Sequence, residues 1–239
     1  GIGYISGARC MIWSDDSGIK AGAMGAKGLE AGLSLQKLAL RHKLPFVHLV
    51  ESAGADLTNY KVEMWAMGGS AFANLARLSA AGIPTIAVLH GASTAGGAYM
   101  PGMSDYVIGV KKNGLAALAG SALVFAATGE ESNDRELGGT EMHATTTGLV
   151  EYLADDDIQA ISMARHVVAN LDWNKNLALP GRKPYSAPVY EASELFGIVP
   201  TNPKTPYDVR EVVARIVDGS IIEDFKPDYG PSTVCLRAS

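Results

Sequence analysis

The sequence predicts an α/β fold built on a largely parallel, buried sheet. Short apolar runs rich in β-branched residues, FVHLV at 46–50 and TIAVL at 85–89, alternate with longer segments of helical periodicity. Each run is followed by a loop of small residues, ESAGAD at 51–56 and GASTAGG at 91–97. Ligands in such folds sit beyond strand carboxyl ends, where loops meet helix N-termini. These two loops are therefore the first places to look for a site.

The elements follow in order. Residues 4–13 (YISGARCMIW) are rich in β-formers and 14–18 (SDDSG) read as a turn, so the chain enters through a hairpin or edge strand. Residues 29–42 carry apolar positions at helical spacing and end in Arg41, His42 and Lys43, where cations suit the helix dipole; Pro45 stops them. Residues 64–81 repeat the pattern with Leu75, Leu78 and several alanines on one face, until Gly82-Ile83-Pro84. A short helix to about Met100, a strand at 106–110 and a short strand at 116–118 come next. A helix at 122–128 starts after Ser121, read as its N-cap. Residues 158–171 and 209–217 are further amphipathic helices, and 180–206, rich in proline, reads as an extended surface connection.

Bulk properties exclude several classes of protein. The 239 residues are 47% hydrophobic and 19% charged, a globular composition. A formal net charge of −5 argues against nucleic acid or an anionic membrane as the main partner. Two cysteines, Cys10 and Cys235, lie far apart without metal-ligand spacing, which points to a reducing compartment and predicts no metal. The first residues lack a Met and any targeting pattern, so the natural N-terminus is expected upstream.

The loops carry almost no side-chain chemistry, and Asp105 is the only charge between Ser93 and Val110. A Gly96-Gly97 pair at a strand-to-helix junction aims backbone amides at a phosphate or a developing oxyanion. It equally serves tight helix–sheet packing. The second loop, with Ala53, Gly54 and Ala55, offers a donor from a neighbouring strand. Nucleotide motifs GxGxxG and GxxxxGK[ST] are absent, as is GxSxG. His48 lies inside a strand and reads as a core or edge residue. His90 closes a strand beside the glycine loop and reads as a structural residue or a general base. His143 lies two residues from Glu141, either as half of a metal pair or in a solvated loop. His42 and His166 read as helix surface, and Asp155–Asp157 as dipole compensation ahead of a helix. Lys27, Lys37, Arg41 and Lys43 form a solvated face or a place for ligand phosphates.

The stretch GASTAGGAYMPGMSDYVIGVKK, followed by ALAG, ATGEE, LGGTEMHATTTGLVEYLADDD, YDVREVVARIVDGS and EDFKPDYGPSTV, resembles the carboxyltransferase (β) subunits of biotin-dependent acyl-CoA carboxylases. The wording is nearest the methylcrotonyl- and geranyl-CoA group. The resemblance implies a crotonase-like (ClpP/crotonase) twisted-sheet α/β fold forming an N-terminal carboxyltransferase domain. Residues 1–180 would be its core, 181–230 a connecting segment and helix, and 231–239 the start of a second crotonase-like domain.

By the same resemblance, Ala55 and Gly97 amides would hold the thioester oxyanion of an acyl-CoA, with Gly96 and Gly54 shaping the loops. Ser52, Ala53, Ala95, Ala98 and Tyr99 would border the substrate. Biotin, as carboxybiotin on a carrier, would be the cofactor and itself the proton acceptor. Implied partners are a biotin carboxylase, a biotin carboxyl carrier and further copies in a hexameric ring, in bacterial cytoplasm or the mitochondrial matrix. A decarboxylase, a hydratase or isomerase using Glu51 or Asp56, and a non-catalytic CoA-binding subunit are the alternatives. Where relatives read FLAGPP and SGGAN or SGGAR, this chain has ALAGSA at 117–122 and SAGAD at 52–56.

Overall fold

A computed structural model describes residues 1–59, 61–173 and 185–238. The chain divides into two compact units, Gly1–Asn174 and Lys175–Ser239.

The first unit opens with the expected hairpin, β1 (Ile2–Ile5) and β2 (Ala8–Ser14). Helix α1 (Ala26–His42) buries Leu29, Leu33, Gln36 and Ala39, a spacing that keeps one stripe inward. It starts three residues earlier than its apolar periodicity suggests, because its first turn, Ala26-Lys27-Gly28, is exposed. Lys43 caps it in the left-handed region at φ 51°. Strand β3 (Phe46–Val50) follows, then helix α2 (Val62–Ala80) and strand β4 (Thr85–Leu89). The two long helices lock through a buried polar ladder. Gln36 Nε2 donates to the Ala71 carbonyl (3.1 Å), and Asn74 Nδ2 donates to Gln36 Oε1 (3.2 Å).

After β4 come β5 (Ala92–Thr94), a 3-10 turn over Ala95–Ala98, α3 (Tyr99–Gly102), β6 (Tyr106–Val110) and β7 (Leu115–Ala117). Helix α4 (Ser121–Thr128) is capped by Gly120 rather than by Ser121. The Ser121 amide is instead engaged by Asp134 Oδ1 at 2.6 Å, so Ser121 is the first helical residue. Helices α5 (Asp134–Gly138) and α6 (Thr140–Met142) run into a π-helical turn, His143–Thr147. Strand β8 (Tyr152–Ala154) and helix α7 (Asp157–Asn170) complete the unit, with Asp156 as a true N-cap accepting from the Gln159 amide at 2.8 Å.

The main sheet runs β1-β2-β3-β4-β6-β8, parallel from β2 onward. Strands β5 and β7 leave it to form a separate parallel pair, Ser93 opposite Ala116. Met11, Leu33, Phe46, Leu75, Leu78 and Met100 form the core beneath α1 and α2. His48 is buried as expected, stacked on Trp13 (4.6 Å) with Nε2 3.1 Å from Asp15 Oδ2.

The second unit holds α8 (Leu195–Ile198), α9 (Arg210–Val213) and the antiparallel pair β9 (Ile222–Asp224) and β10 (Leu236–Ala238). The expected helix at 209–217 is regular only to Val213. Arg215 turns back to Glu194 (2.6 Å) and Glu211 (2.8 Å). The expected extended connection at 180–206 contains a 3-10 turn, Ala192–Glu194, and α8. The run between Pro188 and Pro200 is free of proline, so its amides are able to close turns. The expected boundary at 180/181 lies outside the described residues. No described helix is long and apolar enough to cross a membrane.

Candidate active site

The two small-residue loops meet at the carboxyl ends of β3 and β4, and Ser52 joins them. Its side chain is buried; Oγ donates to the Gly22 carbonyl (2.9 Å) and accepts from the Gly54 amide (3.2 Å). Its carbonyl accepts from Thr94 N–H (2.9 Å), and its amide donates to Ser93 Oγ (3.4 Å). All its polar groups are engaged inside the protein. Ser52 is thus the fastener of three segments, although it also forms part of the cavity wall described below.

Backbone direction follows from these contacts. Met24 pairs with Ala55 as in a parallel sheet, donating to the Gly54 carbonyl (2.7 Å) and accepting from the Asp56 amide (3.0 Å). A residue bridged in this way turns its own N–H to the other side. The Ala55 amide has no partner among the described residues. The 3-10 turn begins after Thr94, so the Gly96 amide precedes its first internal bond and has no partner among the described residues, while the Thr94–Ala117 register turns the Ala95 amide toward β7. Ala95 sits at φ 51°, a left-handed conformation that costs alanine roughly 1–2 kcal/mol. Gly54, at φ +83°, brings the first loop against the second: a Cβ there would lie 3.1 Å from the Gly96 nitrogen. A Cβ on Gly97 would overlap the Ser52 carbonyl oxygen.

Ser52, Ala53, Gly54, Ala55, Ala95, Gly96 and Gly97 all border one cavity of about 220 Å³, and its walls are overwhelmingly apolar. Much of the rest of the wall comes from helical residues to which sequence reasoning assigned no site role: Met64, Trp65, Gly68, Gly69 and Phe72 of α2, and Met100. A clue was present, since a Gly-Gly pair inside a helix disfavours the helix by up to about 2 kcal/mol. Ala98 and Tyr99 face a second, open groove of about 400 Å³ with Met103, Ala117 and Leu118. The Tyr99 ring rests on Phe72 at 4.8 Å.

The charged candidates lie elsewhere. Asp56 is buried, with Oδ2 accepting from Lys20 Nζ (2.7 Å) and Asn59 Nδ2 (3.0 Å), and Oδ1 from the Thr58 amide (3.0 Å). Lys20, then Thr58 and Asn59, hold its carboxyl far below the usual carboxylate range. Glu51 lies over Gly91, 4.0 Å from His90 Nδ1, and neither side chain lines the apolar cavity. His90 Nε2 is buried without a partner among the described residues. His143 is buried, not in a solvated loop. Its Nε2 lies 2.8 Å from the Ala116 carbonyl, while Glu141 accepts from the Lys112 amide (3.0 Å), so the two are not a metal pair. Among the described residues no group of three or more His, Cys, Asp or Glu is placed to hold a metal ion. Lys27, Lys37, Arg41 and Lys43 are exposed on and beyond α1. The Cys10 thiol is buried and pushed up to about 11 by desolvation; Cys235 is exposed.

A mostly parallel sheet, a β5–β7 spur and small-residue loops at the ends of β3 and β4 define an α/β carboxyltransferase domain of the crotonase-like class. All 239 residues match the carboxyl transferase domain model, and the chain belongs to that family. It is 50% identical over 234 residues to a probable biotin-dependent acyl-coenzyme A carboxylase beta2 subunit of Mycobacterium tuberculosis, covering 98% of this chain and 44% of that one. The geranyl-CoA carboxylase beta subunit of P. aeruginosa is 48% identical with a TM-score of 0.68, covering 100% of this chain and 45% of that one. Transcarboxylase 12S, a hexamer solved with methylmalonyl-coenzyme A and methylmalonic acid bound, is 27% identical. Its TM-score is 0.84, over 100% of this chain and 46% of that one. The chain thus spans less than half the length of these relatives.

Proposed function

We propose that this chain supplies the acyl-CoA side of a carboxyltransferase site in a biotin-dependent acyl-CoA carboxylase. One observation carries the reading: the amides of Ala55 and Gly96, without partners among the described residues, stand on touching loops beside an apolar cavity that no acidic or basic side chain lines. Such a cradle suits a reaction in which charge develops on an oxygen while the protein moves no proton. Loss of the α-proton of a thioester gives an enolate, whose oxygen two backbone donors stabilise; one such donor is worth about 2.7–4 kcal/mol of barrier. The donor on the second loop is assigned to Gly96, with Gly97 providing the close approach to Ser52.

Carboxybiotin, when bound, would provide both the carboxyl group and the base for the α-proton, so that no side chain of this chain has to move a proton. The open groove beside the turn, lined by Ala98, Tyr99, Met103 and Leu118, fits an uncharged ring system. The residues of this chain orient the thioester, hold the oxyanion and exclude water from the acyl cavity. The cavity and the Gly68–Gly69 gap in α2 favour an apolar acyl group larger than acetyl, in keeping with the names of the relatives. Partners would be a biotin carboxylase, a biotin carrier and further copies of the chain in a hexamer like that of transcarboxylase 12S. A hydratase reading loses support because Asp56 is wholly committed to Lys20, Thr58 and Asn59.

The test uses the assembled carboxylase with labelled bicarbonate, ATP and a series of acyl-CoAs. Label is expected in the carboxyl group of the acyl-CoA product, and avidin is expected to stop its incorporation. Addition of water to an enoyl-CoA that avidin does not affect would overturn the reading.

A further inference from the structure

We infer that His143 is a positioning residue for this site, an inference that rests on the proposed function and extends it to a part of the fold that touches no substrate. The 95–98 turn is the direct continuation of β5, a strand of three residues whose ladder partner is β7, also of three residues. So short a pair does not hold its own register. In a parallel pair alternate residues bond to the partner strand. Leu115 faces β5, donating to the Gly91 carbonyl at 3.2 Å. The carbonyl of Ala116 therefore faces the opposite edge, where a strand would normally be found.

His143 shares that edge with the Gly139 segment, which bridges Leu115 and donates from the Thr140 amide to the Gly114 carbonyl at 3.1 Å. Its Nε2 lies 2.8 Å from the Ala116 carbonyl oxygen and its Nδ1 2.9 Å from Thr147 Oγ1. A carbonyl only accepts, so Nε2 carries the proton. The ring is delivered by the π-helical turn His143–Thr147, an irregularity that recurs at functional sites. An independent feature points to the same atom: a Cβ on Gly138 would overlap the Ala116 carbonyl oxygen, so α5 approaches this oxygen as only glycine permits. Imidazole and glycine together clamp β7 from outside, as β5 does from inside.

The consequence reaches both cavities. Ala116, Ala117 and Leu118 line the open groove, and β5 leads through Thr94, bonded to the Ser52 carbonyl and in register with Ala117, into the turn that carries the Gly96 amide. Slack at Ala116 would misplace this amide, which acts on the developing oxyanion rather than on bound thioester. A positioning role then lowers kcat and spares KM.

The experiment compares His143→Gln, His143→Asn and His143→Ala in the assembled full-length carboxylase. The Gln amide nitrogen reaches the place of Nε2 and is able to donate to Ala116, whereas that of Asn reaches only the place of Nδ1. We expect Asn and Ala to lower kcat about tenfold or more with acyl-CoA KM within about twofold, and Gln to recover most of the loss. Backbone hydrogen exchange over 115–117 and 93–97, which needs no substrate, should quicken in Asn and Ala but not in Gln. Equal behaviour of Gln and Asn, or unchanged exchange and kcat in Ala, would overturn the proposal, as would failure of all three variants to assemble. A wild-type enzyme without carboxyl transfer would defeat the proposed function alone, because exchange still reads the Ala116 contact.

Discussion

Gly97 lies against Ser52 so closely that a Cβ on the glycine would overlap the serine carbonyl oxygen. The carbonyl is already committed to the Thr94 amide at 2.9 Å, so it is unable to retreat. Two loops distant in sequence are joined here backbone to backbone.

This contact separates two substitutions that look alike on paper. Gly97→Ala must pry the loops apart, at about 1–3 kcal/mol, and is expected to lower the melting temperature and abolish carboxyl transfer together. A Cβ on Gly96 meets nothing nearer than Phe72 Cζ at 3.9 Å. Gly96→Ala should therefore melt like the wild type while its methyl crowds the thioester and raises KM. Thermal melts run beside acyl-CoA kinetics distinguish the two; a Gly97→Ala enzyme with normal stability would contradict the packing.

Asp56 makes the first loop sensitive to acid. Its carboxyl is held low in the folded protein, chiefly by Lys20. A depressed folded pKa means that the stabilisation is fully present above the unfolded value of about 3.9 and is lost as pH falls below it. Urea midpoints of wild type and Asp56→Asn should differ by a constant amount above about pH 5 and converge below about pH 4. Parallel curves throughout that range would mean that the carboxylate does not stabilise the fold.

On the proposed reading, the gap at Gly68 and Gly69 sets the size of the acyl group. Gly69→Leu should raise KM for long, branched acyl-CoAs at least tenfold while leaving short ones nearly untouched, as about 1–3 kcal/mol of pocket complementarity would dictate. Gly68→Ala should stabilise α2 by up to about 1 kcal/mol, since nothing lies within 4 Å of the added methyl. Uniform KM changes across chain lengths would remove the acyl group from this cavity.

The cysteines should differ in reactivity. With its thiol pushed up to about 11 and buried, Cys10 stays protonated and inert at neutral pH. Intact-protein mass spectrometry after brief iodoacetamide treatment should show one adduct on the folded chain, at Cys235. A second adduct on Cys10 without unfolding would show that β2 opens locally.

What the sequence by itself determined is local. Apolar alternation and periodicity set FVHLV and TIAVL as buried strands and 64–81 as a helix. Glycine and alanine in ESAGAD and GASTAGG marked where backbone would be bare, because those residues leave amides uncovered whatever the tertiary context. Only the tertiary structure decided which amide faces the cavity. That depends on Met24 pairing across Ala55 and on the turn starting after Thr94, contacts between segments roughly 30 to 40 residues apart that leave no periodic trace. It also decided what the polar residues do. Ser52 became a fastener, Asp56 an anchor and His143 a clamp, because a buried polar atom takes whichever partner the packing brings within reach, and neighbours in space are not spelled by neighbours in sequence.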